Sequence, residues 1–197
     1  MNFCFIIVSY NNSELSINCV ESILKYSEEG IYVIVVDNNS NVEERRKLNM
    51  IDSLNHVDVL YLNENIGYFP AHIKGQELAY SKGHEYEYMI VANNDMIFHY
   101  DFLQKLQVLR LPNKVMVISP DIITINGIHQ NPHFVNKISK LRKYLYRIYY
   151  SNYYIAKVVM FFLRNLSLKR AMKNKDGYNK EQIIYMGFGA CFILTKS

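Results

Sequence analysis

Asn93-Asn94-Asp95 closes a short apolar run, Ile90-Val91-Ala92, and sets one carboxylate beside two neutral amides. A carboxylate so placed can coordinate a hard divalent cation such as Mg2+ or Mn2+. Such ions prefer oxygen ligands, keep several waters and can bridge diphosphate oxygens. Asn93 and Asn94 add hydrogen-bond donors and acceptors for ribose or phosphate without adding charge that repels a diphosphate. Similar polar clusters end three other apolar runs: Ser9-Tyr10-Asn11-Asn12 after residues 3–8, Asp37-Asn38-Asn39-Ser40 after 31–36, and Asn63-Glu64-Asn65 after 57–62. Asp37 suits acceptance of hydrogen bonds from a base or ribose, as acidic residues after a second strand do in other nucleotide folds. One such cluster reads most simply as a turn, because Asn, Asp and Ser favour turns for backbone reasons. Four of them, ending successive runs, point to a single ligand-binding edge.

The elements that must position these residues follow from the hydrophobic pattern. Runs 3–8 and 31–36 are rich in β-branched and aromatic residues, as strands buried on both faces of a parallel sheet require, and further strands are expected over 57–62 and 87–92. Helical patterns separate them, starting near Ser13 as a cap and ending near Glu29-Gly30, then over 42–54 and from Pro70 to Lys82. Strand–helix repetition of this kind implies a parallel α/β sheet with right-handed crossovers, whose ligands bind outside the carboxyl ends of the strands. Beyond Asp95 the pattern predicts a short helix over 101–109, a strand over 115–119, a hairpin turn at Asn126-Gly127 and a last apolar strand over 191–194.

Several chemistries are disfavoured. No Gly-x-Gly-x-x-Gly follows the first strand and no Gly-x-x-x-x-Gly-Lys-Ser/Thr occurs, so dinucleotide and P-loop readings lose their main support. No Gly-x-Ser-x-Gly elbow or paired-His protease motif is present, and nothing pairs His72 and His99 as metal ligands. Cys4, Cys19 and Cys191 are odd in number and set in apolar surroundings, which fits a reducing, cytoplasmic compartment better than a disulfide framework. The opening residues 1–8 lack a basic region and are strand-length, so they read as neither a signal peptide nor an anchor.

Charge is unevenly spread. Between Lys137 and Glu181, twelve Lys or Arg stand against Asp176 and Glu181, a net +10 in a chain of net +4, which leaves −6 for the remainder. The same segment carries Ile138, Leu141, Leu145, Ile148, Ile155, Val158, Val159, Phe162, Leu163 and Leu166 at helical spacing, interleaved with tyrosines. Two readings stay open. One is a basic amphipathic segment lying on an anionic membrane surface, on the inner face of the cell membrane. The other is a helical hairpin packed on its own domain or on a second subunit, as in a homodimer. Nucleic acid is not expected, since no recognition motif accompanies the charge. The expected organisation is a core over 1–132, a basic Tyr-rich helical insertion over 133–182 and a returning core strand over 183–197.

Val8-Ser9-Tyr10-Asn11, Val35-Val36-Asp37-Asn38-Asn39-Ser40, Asn63-Glu64-Asn65-Ile66-Gly67-Tyr68, Val91-Ala92-Asn93-Asn94-Asp95 and Gly187-Phe188-Gly189-Ala190-Cys191 resemble, in order and spacing, family 2 of the glycosyltransferases. The likeness is greatest to its rhamnosyltransferase-like branch of surface polysaccharide synthesis. The resemblance implies a GT-A, Rossmann-like, mostly parallel sheet with flanking helices. It also implies transfer of a sugar, with inversion, from a nucleotide-sugar donor to a saccharide or lipid-linked saccharide acceptor. Carried over residue by residue, it implies that Ser9, Tyr10 and Asp37 line the nucleoside pocket, with Val8 and Asn11 among the nucleotide-sugar-binding residues. Asn65, Gly67, Asn93 and Asn94 then lie beside the donor, and Asp95 binds Mg2+ or Mn2+. The family's Asp-x-Asp is reduced here to one carboxylate, and Phe69-Pro70-Ala71-His72 replaces its small residues. Its catalytic base lies beyond the Gly-Ala strand, past Ser197, so no residue of this chain is assigned that role. A non-catalytic, membrane-associated or assembly module retaining the same fold is the alternative.

Overall fold

A computed structural model describes residues 2–25, 30–83, 85–110, 115–165 and 180–196. The chain forms two compact units, one from residues 1–120 with 189–197 and the other from 121–188.

The first unit is built on a six-stranded sheet. Its strands are β1 (Phe3–Ser9), β2 (Ile31–Asp37), β3 (Val57–Tyr61), β4 (Tyr88–Asn93), β5 (Val117–Ile118) and β6 (Cys191–Thr195), in the order β3-β2-β1-β4-β6-β5. The first four are mutually parallel, while β6 runs antiparallel to both β4 and β5. Every residue of β1 is buried, because it sits mid-sheet with helices on both faces. Helices α1 (Ser13–Leu24), α2 (Val42–Asp52) and α3 (Tyr68–Ser81) make the crossovers, and α4 (Phe102–Val108) follows β4. On one face, α3 packs against β1 and β2 through Ala71, Gly75 and Ala79. A Cβ on Gly75 would lie 2.5 Å from Ile6 Cγ2, so the absence of a side chain sets how closely α3 approaches the sheet.

Two expectations are corrected. Ser13 is the first helical residue of α1, not its cap; the N-cap is Asn12, whose side chain makes no capping bond. Glu44 of α2 takes over that role, accepting from Ser13 N at 2.7 Å and Ser13 Oγ at 2.6 Å. A carboxylate from a distant helix thus satisfies an amide that local sequence leaves orphaned. Hydrogen bonds from Lys47 and Ser13 hold Glu44 down at about 2. The second correction is that α1 ends at Leu24 rather than near Gly30; residues 26–29 lie outside those described. Gly30, at positive φ, instead accepts from Phe3 N at 2.7 Å and starts β2 in register with β1.

The second unit contains the expected turn. Gly127 has φ 74°, Thr124 N donates to Ile128 O, and Ile123 pairs antiparallel with His129. Helices α5 (Lys140–Tyr149) and α6 (Tyr153–Asn165) follow, with Ser139 capping α5 through Arg142 N. Leu166, Lys169, Arg170, Lys173, Lys175 and Asp176 of the predicted basic segment lie outside the described residues.

Candidate donor and metal site

Register places the predicted strand-end residues at one edge on two successive levels, whose side chains point to opposite faces of the sheet. Ser9 is paired with Asp37 across β1 and β2, and Val8 with Asn93 across β1 and β4. The carboxyl ends of three adjacent parallel strands therefore meet, as the topology of an open α/β sheet requires at its binding edge. Val8 and Ser9 are buried, and Ser9 Oγ has no hydrogen-bond partner among the described residues. Tyr10 stands half-exposed beyond them.

Much of the polar density builds the rim. Asn11 and Asn39 adopt φ 50° and 68°, left-handed backbone that Asn tolerates better than other side-chain-bearing residues. Asn11 Oδ1 accepts from Asn41 N, and Asn11 N donates to Ser40 Oγ, which ties the end of β1 to the start of α2. Asn38 N donates to Ser9 O, its side-chain amide donates to Asn65 Oδ1 at 2.9 Å, and its Oδ1 accepts from Ile66 N. Asn65 Oδ1 also accepts from Gly67 N. Gly67 sits at φ 87° as the N-cap of α3 with open space around it, so its backbone conformation, not crowding, demands glycine. Asn94 reaches α1, donating to Asn12 O and Ser16 Oγ.

Asp37 is wholly enclosed. Its side chain is 0% exposed, accepts from Arg45 Nε at 2.7 Å and from Ser40 N at 3.2 Å, and leaves no solvent-facing oxygen. Arg45 also donates to the Leu62 carbonyl, which joins β2, α2 and the end of β3 at this corner. Arg45 was missed in the sequence because it lies eight residues beyond its partner, inside a helix whose rotation only the fold sets.

Asp95 is the opposite case. It lies just past the end of β4, is exposed, and its carboxylate makes no hydrogen bond or ion pair with any described residue. Its negative charge is felt nearby: after burial and Cys191, Asp95 contributes to pushing both the Cys19 thiol and the Tyr68 phenol up to about 12. No group of three His, Cys, Asp or Glu side chains converges among the described residues, so this is not a closed protein cage. An unneutralised carboxylate on a ligand-facing strand end fits an ion that takes its remaining oxygens from phosphate and water.

Tyr68 was likewise missed as a site residue. Its hydroxyl donates to Asn93 Oδ1 at 2.6 Å, and its ring packs edge-on against His72 at 4.4 Å between centroids. The bond occupies the Asn93 carbonyl oxygen and leaves its two amide hydrogens unpartnered among the described residues. A cavity of about 260 Å³ beside Phe98 and Phe102 is lined by none of the predicted site residues.

A parallel core with an antiparallel β6 beside β4, flanking helices and polar strand ends defines the GT-A, Rossmann-like fold of glycosyltransferases. The chain belongs to Glycosyl transferase family 2, whose profile matches residues 4–169. S. aureus TarS superposes with a TM-score of 0.54 at 19% identity over 70% of this chain and 24% of its own. The mannosyltransferase PcManGT of Pyrobaculum calidifontis, in complex with GDP-Man and Mn2+, gives 0.51 at 16% identity over 62% and 36%. These likenesses show the fold, and this chain spans about a quarter to a third of those structures. No curated protein sequence matches.

Proposed function

We propose that the chain binds a nucleotide sugar at the β1–β2–β4 edge and serves transfer of its sugar to an acceptor hydroxyl. The single observation that carries this is Asp95, an exposed carboxylate without a partner among the described residues, two residues past the end of β4 at the edge where β1, β2 and β4 terminate. Ser9, Tyr10 and Asn11 border the nucleoside, and the buried Asp37–Arg45 pair braces the strand end behind them. Asn65 and Gly67 border the sugar, and the free amide of Asn93 offers two donors to ribose or phosphate. Asn94 braces the loop against α1 and lies alongside. Asp95 would hold Mg2+ or Mn2+, which when bound supplies charge neutralisation to a diphosphate leaving group. Family membership and the PcManGT complex support donor and metal. The displacement is inverting, by direct attack of a saccharide or lipid-linked saccharide hydroxyl, in surface polysaccharide synthesis. Three free, buried thiols support a reducing, cytoplasmic setting.

Calorimetry with UDP, GDP and dTDP, each with and without Mn2+, tests the reading. One nucleoside diphosphate binds in the presence of Mn2+, and Asp95→Asn weakens that binding tenfold or more while leaving metal-free binding unchanged. No binding of any of the three to folded protein refutes it. A second reading, the fold kept without turnover, is favoured by the enclosure of Asp37 under Arg45. Hydrolysis or transfer from any sugar nucleotide by this chain would exclude that alternative.

A further inference from the structure

Helix α5 has an apolar face that no described residue of its own unit covers. At 100° per residue, Leu141, Tyr144, Leu145 and Ile148 fall on one side of α5, at the i, i+3, i+4, i+7 spacing of an amphipathic helix. In a buried helix these would be the core residues, yet Leu141 is 69% exposed, Tyr144 60% and Leu145 54%, and α5 buries no residue at all. Lys140 and Arg147 flank this face on one side and Arg142 on the other. Both Lys140 and Arg147 are exposed, with no ion-pair partner among the described residues. In the adjoining α6, Tyr153, Tyr154, Val158 and Met160 are exposed around Lys157. From Ile122 to Lys175 the sequence contains no Asp or Glu.

Three occupants are physically available, and charge separates them. A second copy that laid α5 against α5 across a twofold axis would oppose like charges with no acid in either segment to offset them. Nucleic acid would take up the cations but leave the Leu and Ile face in water. An anionic lipid surface satisfies both halves: aliphatic and tyrosine side chains enter the headgroup–acyl boundary, and Lys and Arg reach lipid phosphates at the same depth. No helix among the described residues is long and apolar enough to cross a membrane, which agrees with a helix lying in the interface plane.

We propose that α5, with the adjoining α6, is a peripheral docking surface for an anionic phospholipid membrane. This rests on the helix faces alone and stands or falls separately from donor binding. A sugar acceptor carried on a lipid would be met at that same surface, which deepens the proposed function by placing enzyme and acceptor in one plane.

The test is co-sedimentation of the full chain with phosphatidylcholine vesicles and with phosphatidylcholine–phosphatidylglycerol vesicles. The protein partitions onto the anionic vesicles and not the neutral ones, and salt weakens the partitioning. Lys140→Gln with Arg147→Gln lowers it on the order of thirtyfold, from about 1 kcal/mol per cation near an anionic surface. Leu145→Glu with Ile148→Glu abolishes it, and circular dichroism and nucleoside-diphosphate calorimetry stay unchanged because both positions face solvent. Equal recovery with neutral and anionic vesicles overturns the proposal, as does anionic binding that survives Leu145→Glu/Ile148→Glu. A dimer in sedimentation velocity that the same pair dissolves, without vesicle binding by the native chain, would assign the face to a second copy instead.

Discussion

Replacing Arg45 by Met tests whether the corner at the end of β2 is held by one ion pair. The substitution keeps most of the side-chain stem and removes the guanidinium, leaving Asp37, 0% exposed, without its cation. Leaving one charge of a buried pair uncompensated costs roughly 3–5 kcal/mol. The low end applies here, because Ser40 N still donates to both Asp37 oxygens and the Arg45 side chain is itself 29% exposed. Against a total stability of order 5–15 kcal/mol, a loss of about 3 kcal/mol is large. For a chain of this size it lowers Tm by roughly 6–12 °C. Guanidinium unfolding followed by circular dichroism measures it. Two comparisons sharpen the result. Lys74→Ala breaks the exposed Lys74–Glu77 pair and changes stability by no more than about 0.5 kcal/mol. In an Asp37→Asn background, Arg45→Met costs much less than in the native chain, since no buried charge is stranded. A loss under about 1 kcal/mol from Arg45→Met, or an equal loss in both backgrounds, refutes the reasoning.

Three further outcomes follow from single contacts. Tyr68→Phe removes the donor to Asn93 Oδ1 and frees that amide to turn, so nucleoside-diphosphate affinity falls about three- to tenfold for a bond of about 1 kcal/mol. Burial holds the Tyr68 phenol up at about 12, so the loss is constant from neutral to mildly alkaline pH; a loss that vanishes on raising pH to 9 contradicts it. His72 is buried without a partner for either nitrogen, which pulls it from 6.5 down to about 4. The unfolded chain therefore takes the proton first. Stability contributed by neutral His72 is full above about pH 6.5 and is lost as pH falls toward 4, by roughly 3 kcal/mol in all. His72→Leu flattens that part of the stability–pH curve relative to the native chain; parallel curves would show that His72 does not titrate this way. Gly75→Ala gains about 1 kcal/mol of helix propensity but drives a Cβ to within 2.5 Å of Ile6 Cγ2, an overpacking worth about 1–3 kcal/mol. Net destabilisation with a lower Tm is expected, and a rise in Tm would show that α3 retreats freely.

The ends of β1 and β2 were readable in the sequence because burial on both faces demands unbroken apolar runs, and the first polar residue after each run marks the sheet edge. Four strands, the crossover helices and the Asn126-Gly127 turn follow from that period and from turn chemistry. Less was readable where one element answers another. Ser13 looked like a local cap, but its partner is Glu44, thirty-one residues away. The strand expected over 115–119 shortens to Val117–Ile118 because it pairs only with β6, on the sheet's edge.

Side-chain type and order along the chain were enough to read the family's motifs and to put the polar end residues of the parallel strands at one edge. Which of those residues still has a hand free was decided by tertiary structure alone. Asp37, the last residue of β2, and Asp95, two residues past β4, carry the same carboxylate at the end of an apolar strand. The rotation of α2 brings Arg45 onto the first, and no cation among the described residues reaches the second. Likewise, the 3.6-residue period of α5 is the same for a core helix and for a surface one. Only packing, which leaves Leu141 and Leu145 in solvent, distinguishes them.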